Sequence, residues 1–225
     1  MNDNTRYEMM KRLAKERPNP QTELRFTTPF ELLCAVVLSA QSTDKGVNAV
    51  TAKLFLVANT PEQFLKLGFD GLCEYTRSLN YYNNKTRNLL GLSEALIKNF
   101  DGKVPQTREE LESLPGVGRK TANVVLNVAF GKPTLAVDTH IFRVANRTGF
   151  AKGRTPLEVE EGLLKHMPKE FLQNAHHWLL LHGRYCCKAL KPLCEECVIS
   201  DLCDTHKRKM SALKKKTAAL QNKSV

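Results

Sequence analysis

The sequence lacks long apolar runs, alternating strand patterns and internal repeats. No run approaches the roughly 18 apolar residues of a membrane-spanning helix, and the first four residues, MNDN, lack a signal-peptide pattern. We therefore expect a cytoplasmic protein with no membrane partner. A chain of 225 residues without repeats is long enough for one large domain or two small ones, each with a buried core.

Acidic residues are missing from the chain beyond residue 204, where basic residues concentrate. The whole sequence has a net charge of +11 and a pI of about 9.4, which suggests a polyanionic partner. Seven of these charges belong to residues 207, 208, 209, 214, 215, 216 and 223, so the rest of the chain carries +4. We expect residues 212–225 to be a disordered tail that adds non-specific attraction to nucleic acid.

Helix-start signals recur along the chain. Five threonines are followed three residues later by Glu or Gln, as in a capping box: Thr5/Glu8, Thr28/Glu31, Thr60/Gln63, Thr107/Glu110 and Thr155/Glu158. Proline follows the threonine in three of these boxes, at the first helical position. Gly131 stands where a C-terminal cap belongs. The pattern predicts an all-α fold with a possible domain boundary at Pro133.

A Gly-x-Gly turn between two short helical patterns is the most informative motif. It reads Leu114-Pro115-Gly116-Val117-Gly118-Arg119-Lys120. Two close glycines let backbone N–H groups approach a phosphate, and the following helix start adds further N–H groups and a positive dipole end. Lys120 opposes that dipole beside another cation, which favours the neutral amine of a nucleophile. Lys120 could equally hold a phosphate as a point charge.

Four cysteines lie close together near the C-terminus. Cys187, Cys194, Cys197 and Cys203 have the spacing C-x6-C-x2-C-x5-C. Four thiolates in a cytosolic protein indicate a metal site rather than disulfides, and both zinc and an iron–sulfur cluster are compatible with them. The spacing leaves open whether Cys186 or Cys187 is the first ligand. Lys191 lies inside the loop between the ligands and is a candidate phosphate contact.

Several motifs together resemble the endonuclease III family, the DNA glycosylases and abasic-site lyases of the helix-hairpin-helix superfamily. The likeness runs from about residue 5 to residue 207. It rests on the hairpin with Lys120, on the four-cysteine spacing, and on three further segments: Leu38-Ser39-Ala40-Gln41-Ser42-Thr43-Asp44, Ala136-Val137-Asp138-Thr139-His140, and His177-Trp178 with Leu181-His182-Gly183-Arg184-Tyr185.

The resemblance implies a [4Fe–4S] cluster rather than zinc, with Cys187 as its first ligand. It also implies two helical domains that flank a cleft. One is a six-helix domain at about residues 22–132, which contains the helix-hairpin-helix at about 107–130. The other combines residues 1–21 with 133–211 and holds the cluster. Lys120 and Asp138 would face each other across the mouth of this cleft.

The implied reaction is the removal of oxidised pyrimidines from damaged double-stranded DNA, followed by β-elimination at the abasic site. Lys120 would supply the amine that forms a Schiff base with the opened sugar, after the base has left the stack. Asp138 would accept its proton and stabilise positive charge on the sugar. Asp138 is also well placed to cap the helix that follows, and both roles are compatible.

The implied DNA contacts include the hairpin residues Gly116, Gly118, Arg119 and Thr121. Gln41 matches the family residue that fills the space left by the flipped nucleotide, although it could simply end the helix over residues 29–40. A second wedge is expected near residue 81, where the sequence departs from the family. Asn80-Tyr81-Tyr82-Asn83 stands where the family more often shows Gly-Leu-Tyr-Asn. Tyr81 could stack on a base or be a packed surface tyrosine.

Two other functions fit part of the sequence. A monofunctional adenine-type DNA glycosylase of the same superfamily shares the hairpin, the aspartate and the cluster, but it generally lacks the hairpin lysine and has an extra C-terminal domain. A non-catalytic DNA-binding module would use the metal site as a scaffold, with Lys120 as a phosphate contact and Asp138 as a cap. We expect a monomer in each case.

Overall fold

The computed structural model describes residues 1–221. Within them the chain forms eleven α-helices and no β-strand, which confirms the all-α prediction. The helices are α1 (Asp3–Glu16), α2 (Pro29–Leu38), α3 (Asp44–Val57), α4 (Pro61–Thr76), α5 (Tyr82–Phe100), α6 (Arg108–Glu112), α7 (Arg119–Phe130), α8 (Thr139–Thr148), α9 (Pro156–His166), α10 (Leu172–Tyr185) and α11 (Asp204–Gln221).

The chain divides into two compact units. One is Thr22–Ala136, with helices α2 to α7, and the other joins Met1–Gln21 to the chain from Val137 onward. In the first unit, every residue of α2 from Phe30 to Leu38 is buried. A helix that is buried on all sides forms the centre of a core, and α3, α5 and α7 pack around it. Helix α4 is kinked at Gly68, where φ is +67°.

The threonine caps of four of the five predicted capping boxes are confirmed, but in three of them the Glu or Gln accepts from the N–H of the residue before the threonine. The hydroxyl oxygens of the four threonines accept hydrogen bonds from backbone N–H groups three residues on: Thr28 from Glu31, Thr60 from Gln63, Thr107 from Glu110 and Thr155 from Glu158. The box at Thr5 is wrong, because α1 begins earlier and the side chain of Asn2 caps it by accepting from the Thr5 N–H.

In the second unit, the N-terminal helix is tied to the C-terminal half of the chain. The Arg6 guanidinium donates to the carbonyl oxygen of Phe150 at 3.1 Å, and the Trp178 indole donates to the carbonyl oxygen of Arg17 at 2.8 Å. Arg12 forms an ion pair with Asp201 at 2.7 Å. These contacts make residues 1–21 part of the unit that holds the cysteines.

The basic C-terminal segment differs from its prediction. Residues 212–221, expected to be disordered, continue α11 as far as Gln221. Alanine, leucine and lysine dominate this segment and are strong helix formers, so local propensity favours the helix despite the repulsion between like charges. The rest of the predicted tail, residues 222–225, lies outside the described residues. No helix within residues 1–221 has the length and apolar character that a membrane crossing requires.

Candidate active site and metal centre

The predicted hairpin is present between α6 and α7. Leu114 and Val117 are buried and anchor the turn, and the N–H of Val117 donates to the carbonyl oxygen of Leu114 at 3.1 Å. Gly116 has a φ of +76°, a conformation that side chains with a Cβ rarely adopt. A Cβ built there would lie 2.6 Å from Nδ2 of Asn88 on α5. Both backbone geometry and space therefore require glycine at position 116.

The second glycine of the hairpin has a different role. Gly118 is the N-cap of α7 with φ −101° and ψ 178°, which is ordinary extended backbone. A Cβ at this position would meet nothing within 4 Å, and no side chain caps the helix start here. Positive φ is therefore not what calls for glycine at position 118. What Gly118 leaves is an open approach to the first turn of α7, where backbone N–H groups lack intrahelical acceptors.

Lys120 is exposed in that first turn, and Arg119 and Thr121 on either side of it are half-buried. The segment that follows α7 is held against the helix by two buried asparagines. The amide of Asn123 donates to the carbonyl oxygen of Leu135 at 3.2 Å, and that of Asn127 donates to the carbonyl oxygen of Lys132 at 3.2 Å. The predicted cap at Gly131 is confirmed, with φ +64°.

Asp138 is half-buried and caps α8 in the other unit. Its Oδ1 accepts a hydrogen bond from the N–H of Ile141 at 2.8 Å, so the capping role predicted for this residue is confirmed. The bond uses only one of the two carboxylate oxygens. The second oxygen has no hydrogen-bond partner among the described residues, so the same carboxylate can cap a helix and still accept a proton.

The two predicted wedge residues both have left-handed backbone conformations. Helix α2 ends at Leu38, so Gln41 lies in the turn between α2 and α3. Gln41 is exposed there and has φ +52°. Tyr81 precedes α5 with φ +58° and is 64% exposed. Such conformations are uncommon outside glycine and accumulate at functional sites. Sequence reasoning selected these positions but did not anticipate their backbone strain.

The cysteines line one cavity at the end of α10. Its lining includes Cys186, Cys187, Cys194, Cys197 and Cys203, together with His182 and Ile199. Burial and the neighbouring thiols raise the pKa of Cys197 and Cys203. A positively charged group bound among these enclosed thiols would stabilise them as thiolates. The donor set therefore suits an iron–sulfur cluster or a metal ion.

Hydrogen bonding distinguishes the two adjacent cysteines. Cys186 Sγ lies 3.6 Å from the carbonyl oxygen of Leu193, to which it donates, and burial followed by its contact with Cys197 raises the pKa of Cys186 to about 12. Cys187 Sγ instead accepts from the Arg147 guanidinium at 3.7 Å, so a cationic donor faces this sulfur. The closest three-donor group, within 4.8 Å, is His182, Cys186 and Cys197. We favour the four spaced cysteines because a multi-atom cluster holds its ligands further apart than a single ion does.

Two arginines that sequence reasoning missed brace the cysteine loop from α8. Arg143 donates to the carbonyl oxygens of Cys187 at 2.9 Å and Gly183 at 2.7 Å. Arg147, one helical turn later, donates to the carbonyl oxygens of Lys188 at 2.7 Å and Ala189 at 2.8 Å. Their i, i+4 spacing on α8 was the available signal. Lys191 is exposed a few residues beyond this braced segment.

Comparisons with known proteins agree with these features. A family model described as the HhH-GPD superfamily base excision DNA repair protein matches residues 34–169. A model of the iron-sulfur binding domain of endonuclease III matches residues 187–203, which begin and end at the proposed outer ligands and leave out Cys186. Endonuclease III of Haemophilus influenzae is 57% identical over 204 residues, 91% of this chain and 97% of that protein. The Escherichia coli K12 enzyme is 56% identical over the same shares.

Solved structures also resemble this chain. A trapped covalent intermediate of endonuclease III with DNA has a TM-score of 0.88 at 45% identity, covering 93% of this chain and 99% of that one. A non-covalent endonuclease III–DNA complex also has a TM-score of 0.88, at 44% identity, covering 94% and 99%. A thermostable thymine-DNA glycosylase shares the fold, with a TM-score of 0.82 at 22% identity and coverage of 92% and 98%.

Proposed function

This chain belongs to the endonuclease III family of base excision DNA repair proteins, and we propose that Lys120 and Asp138 perform its chemistry on damaged double-stranded DNA. The protein is a DNA glycosylase and abasic-site lyase that carries a [4Fe–4S] cluster. The lesions that we assign to it are oxidised pyrimidines. We further propose that it acts as a monomer in the cytoplasm, associated with the nucleoid through DNA.

The single observation that carries this proposal is the exposed amine of Lys120 in the first turn of α7. The open approach above Gly118 lets a DNA phosphate bind the N–H groups at the same helix start. A phosphate held there would fix the adjacent sugar near the lysine, and holding two reactants in a productive geometry is a large part of catalysis.

The proposed reaction begins after the damaged base has left the stack. The neutral amine of Lys120 attacks C1′, the N-glycosidic bond breaks, and its electron pair leaves with the base. The Asp138 carboxylate accepts the proton that the amine loses. Opening of the sugar ring gives a Schiff base on Lys120. Loss of a 2′ proton then drives β-elimination, which expels the 3′ phosphate, and water finally hydrolyses the Schiff base to free the lysine.

We assign the cluster ligands to Cys187, Cys194, Cys197 and Cys203. When bound, the cluster supplies a rigid cross-link between four points of this loop, which Arg143 and Arg147 already hold against α8. Lys191 lies between the first two ligands and would be presented to a DNA phosphate by this rigid loop. The remaining assigned DNA contacts are Gln41, Tyr81, Gly116, Gly118, Arg119 and Thr121.

Borohydride trapping tests this proposal. Cluster-loaded protein is incubated with duplex DNA that contains an abasic site or thymine glycol, and the reductant converts any Schiff base to a stable adduct. We expect an adduct from the wild type and none from Lys120→Ala. Lys98→Ala removes an exposed lysine from α5 of the same unit and is expected to trap like the wild type.

The outcome separates the candidate functions. Adduct formation by Lys120→Ala at the wild-type level would remove Lys120 as the nucleophile. A wild type that binds the damaged DNA and releases a base without an adduct would act as a monofunctional glycosylase. A wild type that binds and releases nothing would be a DNA-binding module with a structural metal site.

A further inference from the structure

Gln41 and Tyr81 lie in two turns that share an uncommon backbone geometry. Within residues 1–221, only three residues other than glycine have positive φ, and the third is Asp101. Asp101 ends α5, where helices commonly adopt this conformation. Tyr81 begins a helix without a side-chain cap, and Gln41 lies between two helices. Neither residue directly caps the end of a helix as Asp101 does: Tyr81 lies at a helix start, and Gln41 lies three residues beyond the end of α2.

The neighbours of Tyr81 hold the turn that contains Gln41. The amide Nδ2 of Asn80 donates to the carbonyl oxygen of Gln41 at 3.0 Å. The ammonium of Lys85, one helical turn beyond Tyr81, donates to Oγ of Ser42 at 2.7 Å. The two bonds hold the consecutive residues Gln41 and Ser42, and their donors come before and after Tyr81 in the sequence. We call Asn80 and Lys85 the clamp.

The burial of the Lys85 ammonium lowers the stability of the fold. Lys85 is 4% exposed, and the hydroxyl of Ser42 is the hydrogen-bond acceptor that the described residues supply to its ammonium. Burial lowers the pKa of Lys85, which reflects the cost of keeping its charge away from water. Buried charges are normally paired with an opposite charge or bound to a metal, whereas this ammonium donates to a hydroxyl. What this one holds is the segment next to Gln41.

The Asn80 half of the clamp is specific to the departure noted in the sequence. A glycine at position 80 would have no side chain to donate to Gln41, whereas asparagine does. The same departure places at position 81 an aromatic ring that is 64% exposed. An exposed ring offers a face on which any base can stack. The two changes therefore act together, since one adds a stacking surface and the other fixes the residue beside it.

We propose that Asn80 and Lys85 are positioning residues that hold Gln41 and Tyr81 as one preorganised pair, which enters the duplex at the lesion. The inference rests on the proposed function, because it presumes that a nucleotide leaves the stack. Preorganisation lowers the cost of ordering a group on binding. The clamp therefore acts on the step that opens the duplex and leaves the chemistry at Lys120 unchanged.

The test compares two variants that add the same charge. Asn80→Asp keeps the shape of the side chain but turns an acceptor oxygen toward the Gln41 carbonyl. Asn83→Asp places that charge at an exposed position at the start of α5. Insertion is followed by stopped-flow fluorescence of 2-aminopurine opposite a tetrahydrofuran abasic analogue in duplex DNA. We expect about tenfold slower insertion for Asn80→Asp, the effect of losing one hydrogen bond and gaining repulsion. Asn83→Asp should stay within about twofold of the wild type.

Two further measurements separate positioning from folding. Lys85→Met replaces the buried charge with an apolar chain of similar length, which is often neutral or stabilising. It should unfold at the same urea concentration as the wild type or a higher one, yet insert more slowly. Borohydride trapping on single-stranded abasic DNA, which has no duplex to open, should be unchanged in all three variants.

Wild-type insertion rates in both Asn80→Asp and Lys85→Met would overturn the clamp. Slow insertion accompanied by an equal loss of single-strand trapping would also overturn it, because the defect would then lie in the chemistry. Failure of the wild type to trap either DNA would instead overturn the proposed function.

Discussion

Alanine substitution at the two hairpin glycines should separate folding from DNA binding. Gly116→Ala forces a side chain into positive φ, at a cost of about 1–2 kcal/mol. Its Cβ would also lie 2.6, 2.7 and 2.8 Å from Nδ2, Cγ and Cβ of Asn88. Because the Asn88 Cβ cannot rotate away, the clash adds about 1–3 kcal/mol. We expect Gly116→Ala to lower the free energy of unfolding by about 2–5 kcal/mol in total.

Gly118→Ala should leave the stability almost unchanged and weaken DNA binding. Its φ of −101° suits alanine, and apart from its neighbours in the chain nothing lies within 4 Å of the added Cβ. The poorer N-cap and the reduced freedom of the unfolded chain nearly cancel, so the free energy of unfolding should change by less than about 1 kcal/mol. The methyl group nevertheless occupies the approach to the α7 N–H groups. Losing a charge-assisted bond to a phosphate should weaken binding by roughly ten- to a hundredfold.

Urea unfolding and fluorescence anisotropy with abasic-analogue DNA measure the two effects. Adding Asn88→Gly to Gly116→Ala removes the clashing side chain and should restore part of the lost stability. Wild-type DNA affinity in folded Gly118→Ala protein would refute the close approach of a phosphate to this turn. A Gly116→Ala variant as stable as the wild type would refute the steric argument at Asn88.

Three further predictions concern the other unit. Asp138→Asn keeps a good N-cap but removes the charge. We therefore expect a free energy of unfolding within about 0.5 kcal/mol of the wild type, and single-turnover base excision slowed by about 10²- to 10⁴-fold. A slow variant that has also lost stability would indicate that Asp138 acts only as a cap. Cys186→Ser should keep the iron content and visible absorbance of the wild type, whereas Cys187→Ser should lose them, and the reverse pattern would exchange the two assignments. Burial lowers the pKa of His177, so stability is complete above its unfolded value of about 6.5 and declines as the pH falls toward the folded value. Urea midpoints of the cluster-loaded protein at pH 7 and pH 5 should therefore differ less for His177→Gln, and an unchanged difference would contradict this.

Local signals in the sequence located most of the fold. A capping box spans four residues, so Thr28, Thr60, Thr107 and Thr155 could be identified without knowing what surrounds them. The same rule fails at Thr5 because an equally good capping residue, Asn2, lies three positions earlier. Charge density misled at α11, where helix propensity outweighs the repulsion between lysines.

The site was less predictable where it depends on residues distant in sequence. Gly116 and Gly118 look equivalent in the motif, and only the approach of Asn88 from α5 and the backbone angles distinguish them. The i, i+4 spacing of Arg143 and Arg147 puts them on one face of α8, but what that face holds depends on α8 packing beside α10, which no short pattern encodes. The capping role of Asp138 could be predicted because its partner, Ile141, is three residues away.

Several places where this sequence breaks local rules lie at residues assigned to the reaction, to DNA, or to holding a DNA contact. Lys120 opposes the dipole of α7, Gln41 and Tyr81 have left-handed backbone, and Lys85 buries a charge. Each of these choices costs stability, and Gln41, Tyr81 and Lys85 are linked through the clamp. In a chain whose helices mostly start at side-chain caps, such conflicts are expected where function rather than folding selects the residue. The local exceptions thus support the same assignment as the motifs, on independent physical grounds.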